Sequence, residues 1–129
     1  MPTTTRDGVT LYYEIHGGGE PLLLIPGFGS SIPVYHANLE PLARSFRVIS
    51  FDPRAAGRSD TPPGPYTMQM FADDAAAVLD AAGEASAHVF GTSFGGMQAQ
   101  HLALRHPHRV RRLVLGCTTP GGDAHVRPS

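Results

Sequence analysis

The sequence predicts an α/β fold: a mostly parallel sheet with an antiparallel N-terminal strand and helices on both faces. Three observations carry this. From residue 21 onward, short apolar runs alternate with segments of helical period. Two of those runs, PLLLIPG and FRVISFD, read as buried strands, as strands covered on both faces do, and AHVFGT and VRRLVLGC are further strands. The first strand-like segment is instead joined to the next by a tight turn, which predicts an antiparallel pair.

The elements follow in order. Residues 10–17, TLYYEIHG, alternate like a half-buried strand, and GGGE at 17–20 is a turn. PLLLIPG then reads as a buried strand. Residues 33–44, PVYHANLEPLAR, are helical in pattern, but Pro41 predicts a kink or a break. FRVISFD, 46–52, is the next buried strand, and 53–66 is a long loop rich in turn residues. From Thr67 to Ala82 the apolar residues Phe71, Ala75, Val78 and Ala82 share one helical face. Thr67 can cap that helix and Gly83 can end it. A strand over 87–92, a helix over 94–106 and a last strand over 110–117 complete the order.

The 129 residues are read as one domain with a core over about 8–117, and 118–129 as a flexible tail. Hydrophobic residues make up 41%, which excludes a disordered composition. A net charge of −1 leaves no basic footprint for nucleic acid or an anionic membrane. No run approaches 18 apolar residues, and the N-terminus has no apolar signal core. The default expectation is a cytoplasmic protein. Cys117 is the single cysteine, so no internal disulfide can form, and its apolar neighbours suggest a buried small hydrophobe. No metal or cofactor motif is expected. GFGSSI at 27–32 lacks the third glycine of a dinucleotide fingerprint, and no G-K-[ST] exists.

One stretch carries chemistry: Gly91-Thr92-Ser93-Phe94-Gly95, a G-x-S-x-G. A bare match arises by chance about 0.1 times in a chain this rich in Gly and Ser. Its placement says more, because it ends an apolar strand and opens a helix. In that setting a serine sits on a sharp, strained turn that lifts Oγ above the sheet edge. A side chain at 91 or 95 would collide as strand and helix close together. The backbone amide of Phe94, at the helix start, is placed to stabilise an oxyanion. A second donor is expected from Pro26-Gly27-Phe28-Gly29, where Gly27 and Gly29 let the backbone approach a ligand and Phe28 offers its N–H. An ordinary Gly/Ser turn is the plain alternative for both stretches.

These motifs together resemble the α/β-hydrolase fold family. Gly27-Phe28 is similar to its oxyanion loop. Asp52-Pro53-Arg54-Ala55-Ala56-Gly57-Arg58-Ser59 is similar to its D-x-R-G-x-G-x-S loop. Gly91–Gly95 looks like its nucleophile elbow, and LVLGCTTPGG like the strand after the elbow helix in esterase-like and lactonase-like members. The resemblance covers roughly residues 8–122. It departs mildly, with Pro26 where His is usual and Ala55 where Gly is usual. Asp52 and Arg54 are expected to brace neighbouring turns.

The resemblance implies a serine hydrolase acting on a small-molecule ester, lactone or similar acyl substrate through Ser93, with Phe28 and Phe94 as oxyanion donors. The same fold also supports cofactor-free peroxidase chemistry. It implies a triad order of serine, acid, histidine. After Ser93 come Asp123 as the only acid, and His101, His106, His108 and His125. The first three read as surface or helix-end residues. The chain thus resembles the N-terminal half of a hydrolase about twice as long. The alternative function is a catalytically incomplete fragment whose acid and histidine lie beyond residue 129. In that reading the last strand is an exposed edge, with Leu113, Val114 and Leu115 inviting self-association.

Overall fold

The computed structural model describes residues 2–27, 32–116 and 118. Its sheet has six strands: β1 (Thr3–Arg6), β2 (Val9–His16), β3 (Glu20–Ile25), β4 (Phe46–Phe51), β5 (Ala87–Thr92) and β6 (Val110–Gly116). Their spatial order is β1-β2-β4-β3-β5-β6. β4, β3, β5 and β6 run parallel, while β1 and β2 pair antiparallel with their neighbours. The helices are α1 (His36–Ala43), α2 (Met68–Ala81) and α3 (Phe94–Arg105), with short 3-10 turns at Ile32–Tyr35 and Pro107–Arg109.

The mostly parallel α/β architecture agrees with the sequence reading, with two corrections. β1 is an additional strand. Its residues, TTTR, are too polar to signal one, but Asp7-Gly8 joins it to β2 as a two-residue turn with φ of 48° and 78°. The second correction concerns the glycine link after β2. It does not close a hairpin with β3, because β2 pairs with β4 and the chain passes beneath the start of β4 to reach β3. A Cβ on Gly17 would lie 2.3 Å from the Ala43 carbonyl oxygen, and one on Gly19 would lie 2.7 Å from that of Ser45. Gly17 and Gly19 let the link pass that close to backbone.

The helical region after β3 consists of a 3-10 turn followed by the short α1; the division falls between Tyr35 and His36, and Pro41 lies inside α1 without breaking it. α2 begins where Thr67 accepts a hydrogen bond from the Met70 amide at 3.1 Å and ends before Gly83, whose φ is 77°. Leu23, Ile25, Ile49, Phe51 and Val89 point to one sheet face, where α2 and α3 bury them. Leu22, Leu24 and Val48 point to the other, beneath Tyr35 and α1. β6 is an edge among the described residues, with Leu113, Val114 and Leu115 at 36%, 52% and 40% exposure.

An ion-pair network joins three elements on the helical face. Asp73 on α2 binds Arg105 and His106 from the end of α3, and Arg6 from β1. The Arg105 bonds, then that of His106, hold the Asp73 carboxyl below its usual pKa. No helix among the described residues is long and apolar enough to cross a membrane.

Candidate active site

β5 hands over to α3 at Ser93. Its backbone has φ 54° and ψ −124°, a region L-residues avoid and hold at a cost of about 1–3 kcal/mol. The neighbours enforce it. The Ser93 amide donates to the Gly116 carbonyl at 3.0 Å, which ties the turn to the end of β6. The Ser93 carbonyl accepts from the Gly96 amide at 3.0 Å and from Thr118 Oγ1 at 2.7 Å. Three glycines clear the space. A Cβ on Gly91 would meet the Gly95 carbonyl oxygen at 2.4 Å. One on Gly95 would meet the Ile25 carbonyl oxygen at 2.2 Å, and one on Gly96 the Thr118 side chain at 2.5 Å. Strand β3, strand β6 and helix α3 thus converge on one residue.

Ser93 also occupies the position preceding the helix. A serine there ordinarily turns its hydroxyl onto an amide of the first turn. Ser93 makes no such cap bond, and the residue is exposed. Its hydroxyl is therefore not committed to holding the helix.

Around this turn the sequence reading missed two supports. Tyr35 donates from its hydroxyl to the Ile25 carbonyl at 2.8 Å and lies 3.3 Å from Thr92 Oγ1, which links the ends of β3 and β5. Burial pushes its pKa up. Thr118 is the other. Both are polar residues beside strand ends, and nothing in their immediate sequence distinguishes them.

Asp52 and Arg54 are structural, as expected. Asp52 accepts from the Ile32 amide at 2.7 Å and from the Arg58 amide at 2.9 Å. Arg54 donates twice to buried Asp74 on α2, at 2.6 and 2.9 Å. Gly27 lies just past β3, and Phe94 opens α3. Phe28 and Gly29 lie outside the described residues, as do Cys117, Asp123 and His125. The remaining histidines stay apart from the serine. His106 is held by Asp73 at 2.9 Å, His108 is exposed, and His101 lies about 12 Å from Ser93 along α3 at 1.5 Å per residue. Among the described residues no histidine hydrogen-bonds Ser93, and no three His, Cys, Asp or Glu side chains form a metal-binding cluster.

A family profile described as alpha/beta hydrolase fold matches residues 20–126, which is most of the chain and includes the whole turn. The chain belongs to this family. Among relatives of the chain, a RutD protein of Azorhizobium caulinodans, named as a carbamate hydrolase, is 43% identical over 115 residues. That match covers 89% of the chain and 43% of the relative. The 2-hydroxymuconate semialdehyde hydrolase of Pseudomonas sp. strain CF600 is 43% identical over 113 residues, covering 84% of the chain and 40% of that protein. The solved structure of Est816, described as an N-acyl homoserine lactone degrading enzyme, superposes with a TM-score of 0.88 at 37% identity, covering 91% of this chain and 45% of its own. The chain thus spans less than half the length of the hydrolases it matches.

One buried side chain on α3 has no evident use. Gln98 on α3 is fully buried, and neither its Nε2 nor its Oε1 has a hydrogen-bond partner. Phe94 and Arg105, four residues before and seven after it, both contact α2, so Gln98 lies on the α2-facing side of α3. Orphaned buried amide atoms cost about 1–3 kcal/mol. Gln98→Met keeps the shape and removes the polar atoms. It is expected to raise stability by about 1 kcal/mol, read as a higher urea midpoint. An unchanged or lower midpoint contradicts this.

Proposed function

We propose that Ser93 is the nucleophile of an acyl hydrolase that cleaves a small carboxylic ester, lactone or similar acyl compound. The observation that carries this reading is the strained, exposed Ser93 at the β5–α3 junction, whose hydroxyl does not cap its own helix. Strain kept at an exposed residue, and enforced by three elements, serves presentation of the side chain better than stability. In the reaction, Ser93 Oγ bonds to the substrate carbonyl carbon. The carbonyl oxygen takes the negative charge and is stabilised by backbone amides, with Phe94 and Phe28 as the proposed donors. The leaving group departs with a proton, and water then releases the acyl group from the serine. Gly27 and Gly29 are proposed to line the acyl end. The names of the relatives, which cover a carbamate hydrolase, a semialdehyde hydrolase and a lactone-degrading enzyme, support a small acyl substrate.

A histidine and an acid are required to activate the serine. We place them outside the described residues, because His101, His106 and His108 are positioned away from it. A second reading follows: on its own the chain presents the nucleophile without turning over substrate.

Fluorophosphonate labelling, located by peptide mass spectrometry, tests the proposal. Ser93 is expected to react at least about 100-fold faster than exposed Ser45, through oxyanion stabilisation alone. Ser93→Ala is expected to remove the labelled peptide. Equal reaction at Ser45 and Ser93 would sink the nucleophile assignment. The strain gives an independent readout. Ser93→Gly relieves the positive φ and is expected to raise the unfolding free energy by about 1 kcal/mol while abolishing labelling. A destabilised Ser93→Gly variant would argue for a structural serine.

A further inference from the structure

Tyr35 ends the 3-10 turn that follows β3, and it is buried. That turn is anchored at its start, where the Ile32 amide donates to Asp52 at 2.7 Å. The Tyr35 ring meets Phe90 of β5 edge-on, with centroids 6.0 Å apart. A phenylalanine would pack there equally well, so packing alone does not account for the hydroxyl. A tyrosine hydroxyl has one proton to give. Tyr35 gives it to the Ile25 carbonyl at 2.8 Å. The 3.3 Å contact with Thr92 Oγ1 is therefore donated by Thr92. The chain of bonds has one direction, from Thr92 through Tyr35 to Ile25.

Both ends of that chain adjoin the site. Thr92 immediately precedes Ser93, and Ile25 ends β3 immediately before Pro26 and Gly27. β3 and β5 are in register as far as Ile25 and Gly91. At that limit the Ile25 carbonyl is approached from both layers. A Cβ on Gly95 of α3 would lie 2.2 Å from its oxygen on one side, and the Tyr35 hydroxyl holds it from the other. The strained turn and the chain leaving β3 thus meet through one carbonyl, past the last paired residues of their strands.

We propose that Tyr35 is a positioning residue for acyl transfer: its hydroxyl, oriented by Thr92, sets the spacing between the Ser93 turn and the segment that leaves β3 at Pro26. This rests on Ser93 being the nucleophile. Tyr35 itself touches no reacting atom. Oxyanion donors act only when they stand about 2.7–3.1 Å from the developing charge, and a misplacement of about 1 Å can cost about 100-fold in rate. A brace at the end of β3 therefore acts on the rate of bond formation at Ser93 rather than on capture of the substrate.

Fluorophosphonate labelling of this chain, followed against probe concentration, separates the maximal rate at Ser93 from the half-saturating concentration. Ser45 in the same molecule is the reference. Tyr35→Phe keeps the ring on Phe90 and is expected to lower the maximal rate about tenfold while half-saturation moves less than about twofold. Thr92→Val is expected to lower the rate about threefold, and Thr92→Ser, which keeps the donor, to stay within about twofold of the wild type. The double variant Tyr35→Phe/Thr92→Val should be within about twofold of Tyr35→Phe alone, because Thr92 acts through the Tyr35 hydroxyl. Tyr66→Phe removes another hydroxyl that donates to a backbone carbonyl, that of Pro62, and should leave the labelling unchanged.

Tyr35→Phe labelling like the wild type overturns the proposal, and so does a double variant whose two effects multiply. Thr92→Ser as slow as Thr92→Val also overturns it. Circular dichroism checks each fold, and if Tyr35→Phe does not fold, Thr92→Val against Thr92→Ser decides alone. Wild-type labelling of Ser93 no faster than that of Ser45 ends the nucleophile reading and this proposal with it. Preferential wild-type labelling that these variants leave intact ends the proposal only.

Discussion

Gly95→Ala is expected to lower the unfolding free energy by about 3 kcal/mol or more, the upper end of overpacking effects. The added methyl would stand 2.2 Å from the Ile25 carbonyl oxygen and 2.7 Å from that of Pro26. Both obstacles are backbone, so no side-chain rotation relieves the clash. Either the end of β3 moves away or the first turn of α3 tilts off the sheet. Both responses disturb Ser93, so the variant should also lose preferential labelling at that residue. Gly18→Ala is the control, because a methyl there meets nothing within 4 Å. It is expected to change stability by less than about 0.5 kcal/mol. Urea denaturation of the two variants decides the matter, and near-equal midpoints would refute the packing described at the turn.

Asp74→Ala is expected to destabilise by about 3–5 kcal/mol. Asp74 is 1% exposed, and its carboxylate accepts two bonds from Arg54 and one from Arg6 at 3.0 Å. Arg54 is itself buried at 6% exposure. Removing the carboxylate leaves a guanidinium inside the protein with its charge uncompensated, which is the expensive half of breaking a buried pair. The same bonds fasten the loop after β4 to α2, so that loop should become protease-sensitive. The double variant Asp74→Leu/Arg54→Met should recover most of the lost stability, since neither charge is then left buried alone. A double variant as unstable as the sum of its singles would show that the pair acts through something other than its charges.

Much of this architecture was readable because it rests on burial. Strands covered on both faces must be apolar throughout, so β3 and β4 announced themselves, as did the alternation with helices. The turn at Ser93 was readable because close approach demands glycine at fixed offsets, and Gly91 and Gly95 stand where the backbones nearly touch. Asp52 and Arg54 brace the neighbouring turns through bonds to the Ile32 and Arg58 amides and to Asp74. β1 was not recognised. It buries little, so composition says nothing, and the signal lay in the Asp7-Gly8 turn instead. The pairing of β2 with β4 was also missed. A short link between strands suggests a hairpin on local grounds, and only the crowding around Gly17 and Gly19 shows that the chain ducks beneath β4. Tyr35 and Thr118 brace the site across the fold from distant sequence positions, a relation no local pattern encodes.

The placement of β2 has a consequence for synthesis. Its partner strand β4 ends 35 residues later in the chain, at Phe51 against His16. At translation rates of about 5–20 residues per second, the β1–β2 hairpin leaves the ribosome about 2–7 s before its sheet neighbour. For that interval Val9 and Leu11, buried in the finished protein, have nothing to pack against. The nascent chain therefore passes through a window in which a sticky hairpin must be shielded or remain monomeric by dilution, and codon choice between residues 16 and 51 sets how long the window lasts.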